Sequence, residues 1–422
     1  MFPGTITTAA ATDGTTVTTN GDSLTRRFVS FPVGKNILAN PSEHDFPLLP
    51  VPHQSLCRGS HKGWLVMVDK DMSMYLQNPF TGRRIDLPPV TSLPRADSSW
   101  ASMSKWYIEK VIMSASPSSS SSSSSSSDCF VVVFFGPGDQ VAFCKVGDKN
   151  WRLLKNPESS GYYIDGIYYK EQFHIVDEYG KIYVSDPLDS PDQPKLNEFY
   201  PQNRHSIDYV QKWYLVECGG ELYQILRKIK NLGDTSHESD DDEEDIGDQG
   251  EQIDIGEEEG DHINDDSDDD EGEERKSDDD DDEREERKSN TYEFDDFDYD
   301  NIYESEVRNF IKRTTRFHIF KLETSGSEPK WICTAKDFNG AAVFLGYNQS
   351  FALSKSDLMS YKGDRIYYTD DDIASHQLCV RSGQDMGIFS LRDSKFEPLC
   401  STNSESTKPP AVWITPCDGG SN

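Results

Sequence analysis

No Cys-x-x-Cys pair occurs among the chain's eight cysteines, and no Cys/His spacing suits a zinc site. Cys57, Cys129, Cys144, Cys218, Cys333, Cys379, Cys400 and Cys417 are scattered, several of them inside apolar runs. They are expected to be free, buried thiols in a reducing compartment. His53 and His61 flank Cys57, but no second cysteine completes a ligand set, so neither a metal nor a cofactor is expected. His174 and His318 lie in apolar runs and read as strand residues. No apolar run approaches the roughly 20 residues a membrane span needs, so no membrane partner is expected. No secretory h-region opens the chain. G-x-S-x-G, H-E-x-x-H and Walker loops are all absent, and with them any visible nucleophile, base or phosphate cradle. The expectation is a non-enzymatic protein. Helical periodicity is scarce as well, which argues against an α/β fold.

Positive charge is also in short supply, with 42 Lys and Arg against 75 Asp and Glu and a net charge of −33. The imbalance is local. Residues 234–300 hold 36 acidic and 5 basic side chains, a net of −31, which leaves −2 for the rest of the chain. The body is therefore nearly neutral and offers no basic face for a phosphate backbone, so direct nucleic-acid binding is not expected. Charge repulsion at the density of 234–300 opposes packing, and this stretch reads as a long disordered acidic insert. Its alternative role is electrostatic attraction of basic partners such as histones or ribosomal proteins. Ser239, Ser267 and Ser277 are each followed by three aspartates, the pattern acidophilic kinases favour, and are candidate phosphorylation sites. Asp296, Asp298 and Asp300 alternate like the opening of an EF-hand loop. Asn301 then stands where glycine is required and Val307 where glutamate is, so the coordination set fails. The aromatic-acidic end of the stretch has room for a short helix near Ile302–Lys312.

What the chain does have is a recurring unit: a short apolar strand, a turn bearing Gly or Asp, and a second apolar strand. It occurs at Gly63–Leu76, Cys129–Val146, Gly166–Val184, Trp213–Leu226 and Asp364–Leu391. A hairpin cannot bury its apolar face alone, and several in series close most simply into a ring of small sheets. The fold class is all-β, a β-propeller of five or six blades spanning 28–416. Ala341–Ser354 is placed in a further unit by spacing. Ser118–Ser127 is an unbroken serine run between apolar strands and must leave as a loop. The acidic insert likewise replaces a hairpin turn, because Gly219–Lys230 and Arg313–Glu323 read as neighbouring strands; a long loop costs little more than a short one. Residues 1–27 read as a disordered tail and 417–422 as a second one. The first 35 residues are Thr-rich with Arg26, Arg27 and Lys35, but Asp13 and Asp22 depart from a transit peptide. Cytoplasm or nucleus is the expected compartment, with organelle import the minor alternative. Trp64, Trp151, Trp331 and Trp413 are assigned to packing between blades, with Trp151 and Trp331 covering the next blade and Trp413 closing the ring. Asn348-Gln349-Ser350 is a formal glycosylation sequon that should be unused without a secretory signal.

Specific runs go further. Cys57–Asp69 followed by Leu76–Pro89, then Ala142–Leu154, Asp165–Asp186, Tyr214–Arg227, Phe344–Asp357 and the closing Pro409–Pro416 occur in one order along the body. In that order they resemble the plant domain of unknown function 295 family, the KIB-type β-propeller of F-box proteins. The resemblance covers about Phe28 to Pro416 apart from the two low-complexity stretches. It implies a protein-recognition propeller like the substrate-binding domain of plant F-box ubiquitin-ligase adaptors, with a regulatory protein such as a kinase as client. Nothing before Phe28 has apolar residues at helical spacing or the Leu-Pro opening of an F-box. An F-box is therefore not recognisable in this sequence, and the cullin-ligase adaptor is not an expected partner.

Overall fold

A computed structural model describes residues 7–9, 29–30, 55–94, 107–117, 129–136, 138–155, 161–186, 194–203, 211–231, 312–333, 337–358, 362–371, 385–399 and 411–415; for 7–9, 29–30, 211 and 231 it describes the backbone alone. The serine run, the acidic stretch with Ser239, Ser267, Ser277 and Asp296–Asp300, His53, Cys379, Cys400, Cys417 and the 417–422 tail lie outside these residues.

The described body is a five-bladed β-propeller. Strands β1 (Thr7–Ala9) and β2 (Val29–Ser30) come first in the chain and join its last strand, described below. Blade 1 is the meander β3 (Leu56–His61), β4 (Trp64–Val68), β5 (Met74–Gln77) and β6 (Arg84–Leu87). Blade 2 holds β7 (Ile108–Met113), β8 (Phe130–Phe135), β9 (Gln140–Lys145) and β10 (Arg152–Leu153). Blade 3 holds β11 (Tyr163–Tyr169), β12 (Gln172–Asp177), β13 (Ile182–Ser185) and β14 (Asn197–Glu198). Blade 4 holds β15 (Gln211–Cys218), β16 (Glu221–Asn231), β17 (Lys312–Glu323) and β18 (Lys330–Cys333). Among the described residues there is no α-helix; a single 3-10 turn spans Val90–Ser92. Lys312, the last residue of the stretch read as a possible helix, opens β17, and the rest of that stretch is outside the described residues.

Blade 5 departs from the meander and corrects one expectation. It holds β19 (Ala342–Leu345), β20 (Phe351–Leu353), β21 (Arg365–Tyr368), β22 (Gly387–Ser390) and β23 (Lys395–Pro398), in the order β20-β19-β21-β22-β23. β19 pairs with β21 in parallel, Ala342 opposite Arg365. Ala341–Ser354 is therefore part of this blade and not a further unit. The chain folds β20 back on the inner side, so two hairpin-like runs share one sheet.

Burial explains the strand composition. Inner and second strands are covered on both faces by neighbouring blades, and Trp64–Val68 and Phe130–Phe135 are buried at every position. Such strands read as continuous apolar runs instead of alternating ones. Outer strands are short and polar, Arg84–Leu87 and Lys395–Pro398 among them, which blunts their free edges against pairing with other chains. Separate apolar clusters fill the seams. Val66 and Met74 of blade 1 share one with Val111 and Val131 of blade 2. Ile112 and Val132 share another with Phe173 and Ile175 of blade 3. Ile167 meets Leu215 across the blade 3–4 seam, and Ile225 and Phe317 meet Val343 and Ile366 across the blade 4–5 seam. Where β3 approaches β7, a Cβ on Gly59 would run into the Val111 carbonyl oxygen, so the closeness of the inner strands requires glycine there.

The ring closes through both ends of the chain. β24 (Val412–Ile414) pairs with β1, and β1 with β2. Thr7–Ala9, within the segment read as a tail, thus form a strand. Trp413 is fully buried in a cluster with Phe344 and Tyr367 of blade 5, while Val412 and Ile414 face Leu65 and Met67 of blade 1. The Trp413 indole N–H donates to the Leu345 carbonyl at 3.0 Å, and its own carbonyl accepts from the Ser60 hydroxyl. Trp413→Ala is expected to cost about 3–5 kcal/mol, the range for deleting a fully buried large aromatic. Urea unfolding checks this, and a loss below about 1 kcal/mol would mean that β24 does not close the ring.

The other tryptophans pack as assigned, with a difference in direction. Trp64 is buried after Gly63, whose φ of 81° makes the tight turn. Trp151 donates its indole N–H to the Pro88 carbonyl at 3.0 Å and packs with blade 1 residues; Trp331 donates to Pro201 at 2.8 Å and packs with blade 3 residues. Both cover the preceding blade, because each sits in or just before a fourth strand, whose side chains hang over the seam the chain has just left.

Candidate functional site

The first strand of each meander runs from one rim of the ring to the other. We call the rim where β3, β7, β11 and β15 begin the upper rim. By the alternation of hairpins, the β4–β5, β8–β9 and β12–β13 turns lie there too. So do the end of β16 and the start of β17, where Asn231 pairs with Lys312. The expectation that the flanks of the acidic stretch are neighbouring strands is met: the chain leaves and re-enters blade 4 at the upper rim. At the opposite rim, the Ser114 amide and hydroxyl bond Phe130, so the chain also leaves and rejoins a hairpin around the serine run.

The axis of the ring carries charge. Lys110 on β7 and Asp165 on β11 pair at 2.6 Å with side chains 6% and 0% exposed. Asp165 also accepts the Leu215 amide of blade 4 at 2.9 Å and lies 3.5 Å from the Ser350 hydroxyl of blade 5. Burial pushes the Asp165 carboxyl above its usual range, against the pull of Lys110. Lys110 reaches the Gly346 carbonyl, and the Met113 amide donates to Gln349 Oε1 at 2.9 Å. Blades 2 and 5 are not neighbours, so both contacts cross the axis. The 346–350 turn fills the centre, and Asn348, Gln349 and Ser350 are buried. The sequon is thus a plug: Asn348 gives its amide to the Gln349 carbonyl and is out of reach of modifying enzymes in the folded chain.

A second polar group ties blades 4 and 5 near the upper rim. Arg227 on β16, 1% exposed, donates to Asp385 at 2.8 Å, to the Thr314 hydroxyl at 2.7 Å and to the Tyr214 hydroxyl at 3.1 Å. Asp371 pairs with Lys212 at 3.0 Å and accepts from the Tyr214 hydroxyl at 2.9 Å. Burial works against its charged form, yet Lys212, Arg227 and Lys110 outweigh that and hold the Asp371 carboxyl below the usual range. Arg58 of β3 meets the Tyr347 hydroxyl at 3.3 Å and so joins blade 1 to blade 5.

Glu109 lies beside this group, under Gly138 of the β8–β9 turn. Burial raises its pKa from 4.5 to about 7, against Lys212 and Arg58. The sign follows. A carboxyl whose folded pKa exceeds the unfolded one penalises the fold at high pH, and the penalty fades as pH falls from about 7 towards 4.5. Glu109→Gln is therefore expected to stabilise the protein by about 1–3 kcal/mol at pH 8, with the difference shrinking by pH 5. Denaturant midpoints of the two proteins at both pH values test this; equal midpoints at pH 8 would reject it.

His61 and His174 stay neutral. Burial lowers His61 to about 3 and His174 to about 4. His174 stands edge-on between Tyr169 and Phe199, a strand residue as expected. His318 lies in β17. Cys57, Cys129, Cys144 and Cys218 are buried thiols outside any disulfide, but Cys333 is exposed, because the outer strand β18 has only one covered face. Among the described residues no group of acids, histidines and cysteines is arranged to hold a metal.

Comparison with known proteins fits this geometry. The KIB1-4 beta-propeller family model matches residues 38–390. The chain belongs to this family. A probable F-box protein of Arabidopsis thaliana is 29% identical over 140 residues, 32% of this chain and 36% of that protein. F-box only protein 7 of Arabidopsis thaliana is 26% identical over 211 residues, 43% of this chain and 52% of that protein. A putative F-box protein of the same plant is 24% identical over 190 residues, 43% of this chain and 49% of that protein. The chain thus spans between a third and about half of the curated relatives it matches. A KIB1-4 propeller related to F-box proteins is a protein-interaction domain. Neither the polar axis nor the blade 4–5 group was legible in the sequence: Lys110 reaches Gly346 across 236 residues, and Arg227 contacts Asp371 and Asp385 across 144 and 158. The one available signal was the polar Asn-Gln-Ser run between two apolar strands.

Proposed function

We propose that this propeller is a non-enzymatic recognition module that holds a protein client on the turns of its rims, as the substrate-binding domain of a plant F-box adaptor would. The observation that carries this reading is the filled axis. Hydrogen bonds from β7 to the 346–350 turn occupy the centre where a propeller enzyme would place its substrate, which leaves the rims for binding. Turns on a rigid ring are suited to that work. Docking of a cullin-ligase adaptor is not part of the proposal.

The second reading is a carrier whose 234–300 stretch, with a net charge of −31, collects basic proteins such as histones or ribosomal proteins. Pull-down from plant extract with and without residues 234–300 separates the two. Clients retained without the stretch support the propeller reading; loss of every client would sink it. Phosphate on Ser239, Ser267 or Ser277 would deepen the charge and favour the second reading. Cytoplasm or nucleus is the proposed compartment, and a fluorescent fusion reads it directly.

A further inference from the structure

Exposed aromatic side chains are few in the described body, and three of them fall at one place. Tyr162, Tyr179 and Tyr200 are 47%, 46% and 72% exposed. Tyr162 immediately precedes β11, Tyr179 lies in the β12–β13 turn, and Tyr200 follows β14. By the alternation of strands all three are at the upper rim of blade 3, the rim from which the chain leaves blade 4 for its acidic stretch.

The backbone that carries these rings is held in place. The Glu178 amide donates to the Tyr162 carbonyl at 2.8 Å, and the Tyr162 amide reaches Glu178 Oε1 at 3.3 Å. The Tyr179 amide donates to Asp177 Oδ1 at 2.9 Å, and its ring lies over Gly161, where a Cβ would come within 3.2 Å of it. Gln202 pins the Tyr200 loop with bonds to the Ile182 amide, the Ile182 carbonyl and the Phe199 carbonyl. The neighbouring Glu178 carboxylate also raises the Tyr179 hydroxyl's pKa. Lys181, the nearest cation along the chain, is taken by Glu198 at 2.9 Å. Among the described residues Glu178 has no cationic partner.

We propose that Tyr162, Glu178, Tyr179 and Tyr200 form a docking surface for a Lys/Arg-bearing segment of a partner protein. Two half-exposed ring faces beside an unneutralised carboxylate suit a guanidinium or ammonium group. Tyrosines on a fixed backbone add contact area with little entropy left to lose. Charge complementarity selects the partner: the Glu178 carboxylate, with no cation against it among the described residues, favours a basic segment over an acidic one. This rests on the recognition reading and supplies its partner chemistry.

The test uses the full-length protein and a fluorescein-labelled octa-arginine peptide, with anisotropy read at low salt and at about 0.5 M salt, where long-range attraction is screened. At high salt Y162A/Y179A is expected to weaken binding about tenfold, and Y162F/Y179F, which keeps the ring faces, to stay within about threefold of wild type. E178Q should lose several-fold. Three results would overturn the proposal: equal high-salt binding by Y162A/Y179A, loss of all wild-type binding at high salt, or a solution dimer that Y162A/Y179A dissolves. If it fails while clients survive removal of 234–300, the surface is wrong and the recognition reading stands. If high-salt binding holds while those clients are lost, the reverse is true.

Discussion

Lys110→Met is expected to destabilise the propeller by about 3–5 kcal/mol at pH 8, the cost of leaving a buried charge without its partner. Asp165 is fully buried, and Lys110 at 2.6 Å is its only cation among the described residues. Methionine fills the lysine's volume, so the loss would be electrostatic and not a cavity. Asp165→Leu is a poor partner for the cycle, because the Leu215 amide and the Ser350 hydroxyl need an acceptor there. Asn keeps the acceptor and drops the charge. Lys110→Met/Asp165→Asn should therefore recover at least about 2 kcal/mol relative to Lys110→Met alone, and with the Asp165→Asn single variant this gives the coupling of a double-mutant cycle. The pH dependence has a definite sign. Burial already raises the Asp165 pKa, and removing Lys110 raises it further. The single variant's penalty should then shrink as pH falls, since protonation relieves it. Urea unfolding of the four proteins at pH 8 and pH 5 gives both quantities. A Lys110→Met penalty below about 1 kcal/mol at pH 8 would mean that the axis is wetter than its burial implies.

The ring was legible in the sequence because burial on both faces writes itself into strands as unbroken apolar runs. Phe130–Phe135 and Trp64–Val68 announce themselves that way. The five recurring hairpins fall on different pairs of strands, however. Gly63–Leu76 and Cys129–Val146 hold second and third strands, whereas Trp213–Leu226 holds a first and second. The eye finds whichever two strands of a blade are most apolar. Outer strands such as Asn197–Glu198 are too short and polar to be seen. The parallel pairing of β19 with β21 escaped because hairpins are read from adjacent segments, and this pair is separated by β20. The axis escaped for a deeper reason. Lys110 and Asp165 look like surface residues of their strands, since a charge in an apolar run carries no mark of which side faces other charges. Their environment is set by blades far away in sequence. The KIB-type resemblance located the family and therefore a recognition role, but it names no contact residue; the tyrosines at the rim emerge only when strand ends from three segments are brought together.

Arg227→Met is expected to cost at least about 3–5 kcal/mol and to act first at the seam between blades 4 and 5. The guanidinium has five N–H donors, and the acceptors around it use them all. Nε bonds Thr314; Nη1 is shared among Tyr214, the Thr369 carbonyl and Asp371; Nη2 bonds the Asp385 carbonyl and carboxylate. Its face also lies 4.8 Å from the Tyr368 ring centroid. Losing it leaves the buried Asp385 carboxylate without its cation, Asp371 with Lys212 alone, and two carbonyls without their donor. Lysine keeps the charge but not the fork, so Arg227→Lys should still lose roughly half of that stability. The damage has a predictable path. Asp385 precedes β22 and also accepts the Thr314 amide at the start of β17, so freeing it loosens both strands together. Hydrogen exchange should then rise at the upper-rim ends of β16, β17, β21 and β22 before it rises in blades 1 and 2. Uniform acceleration across all five blades would show that the seam has no separate identity. If the local pattern holds, it also sorts binding from folding. A client carried by blade 3 should remain bound to Arg227→Lys under conditions where the blade 4–5 seam already exchanges, because the backbone of the tyrosines there is pinned by Gln202 and Glu178 and not by this network.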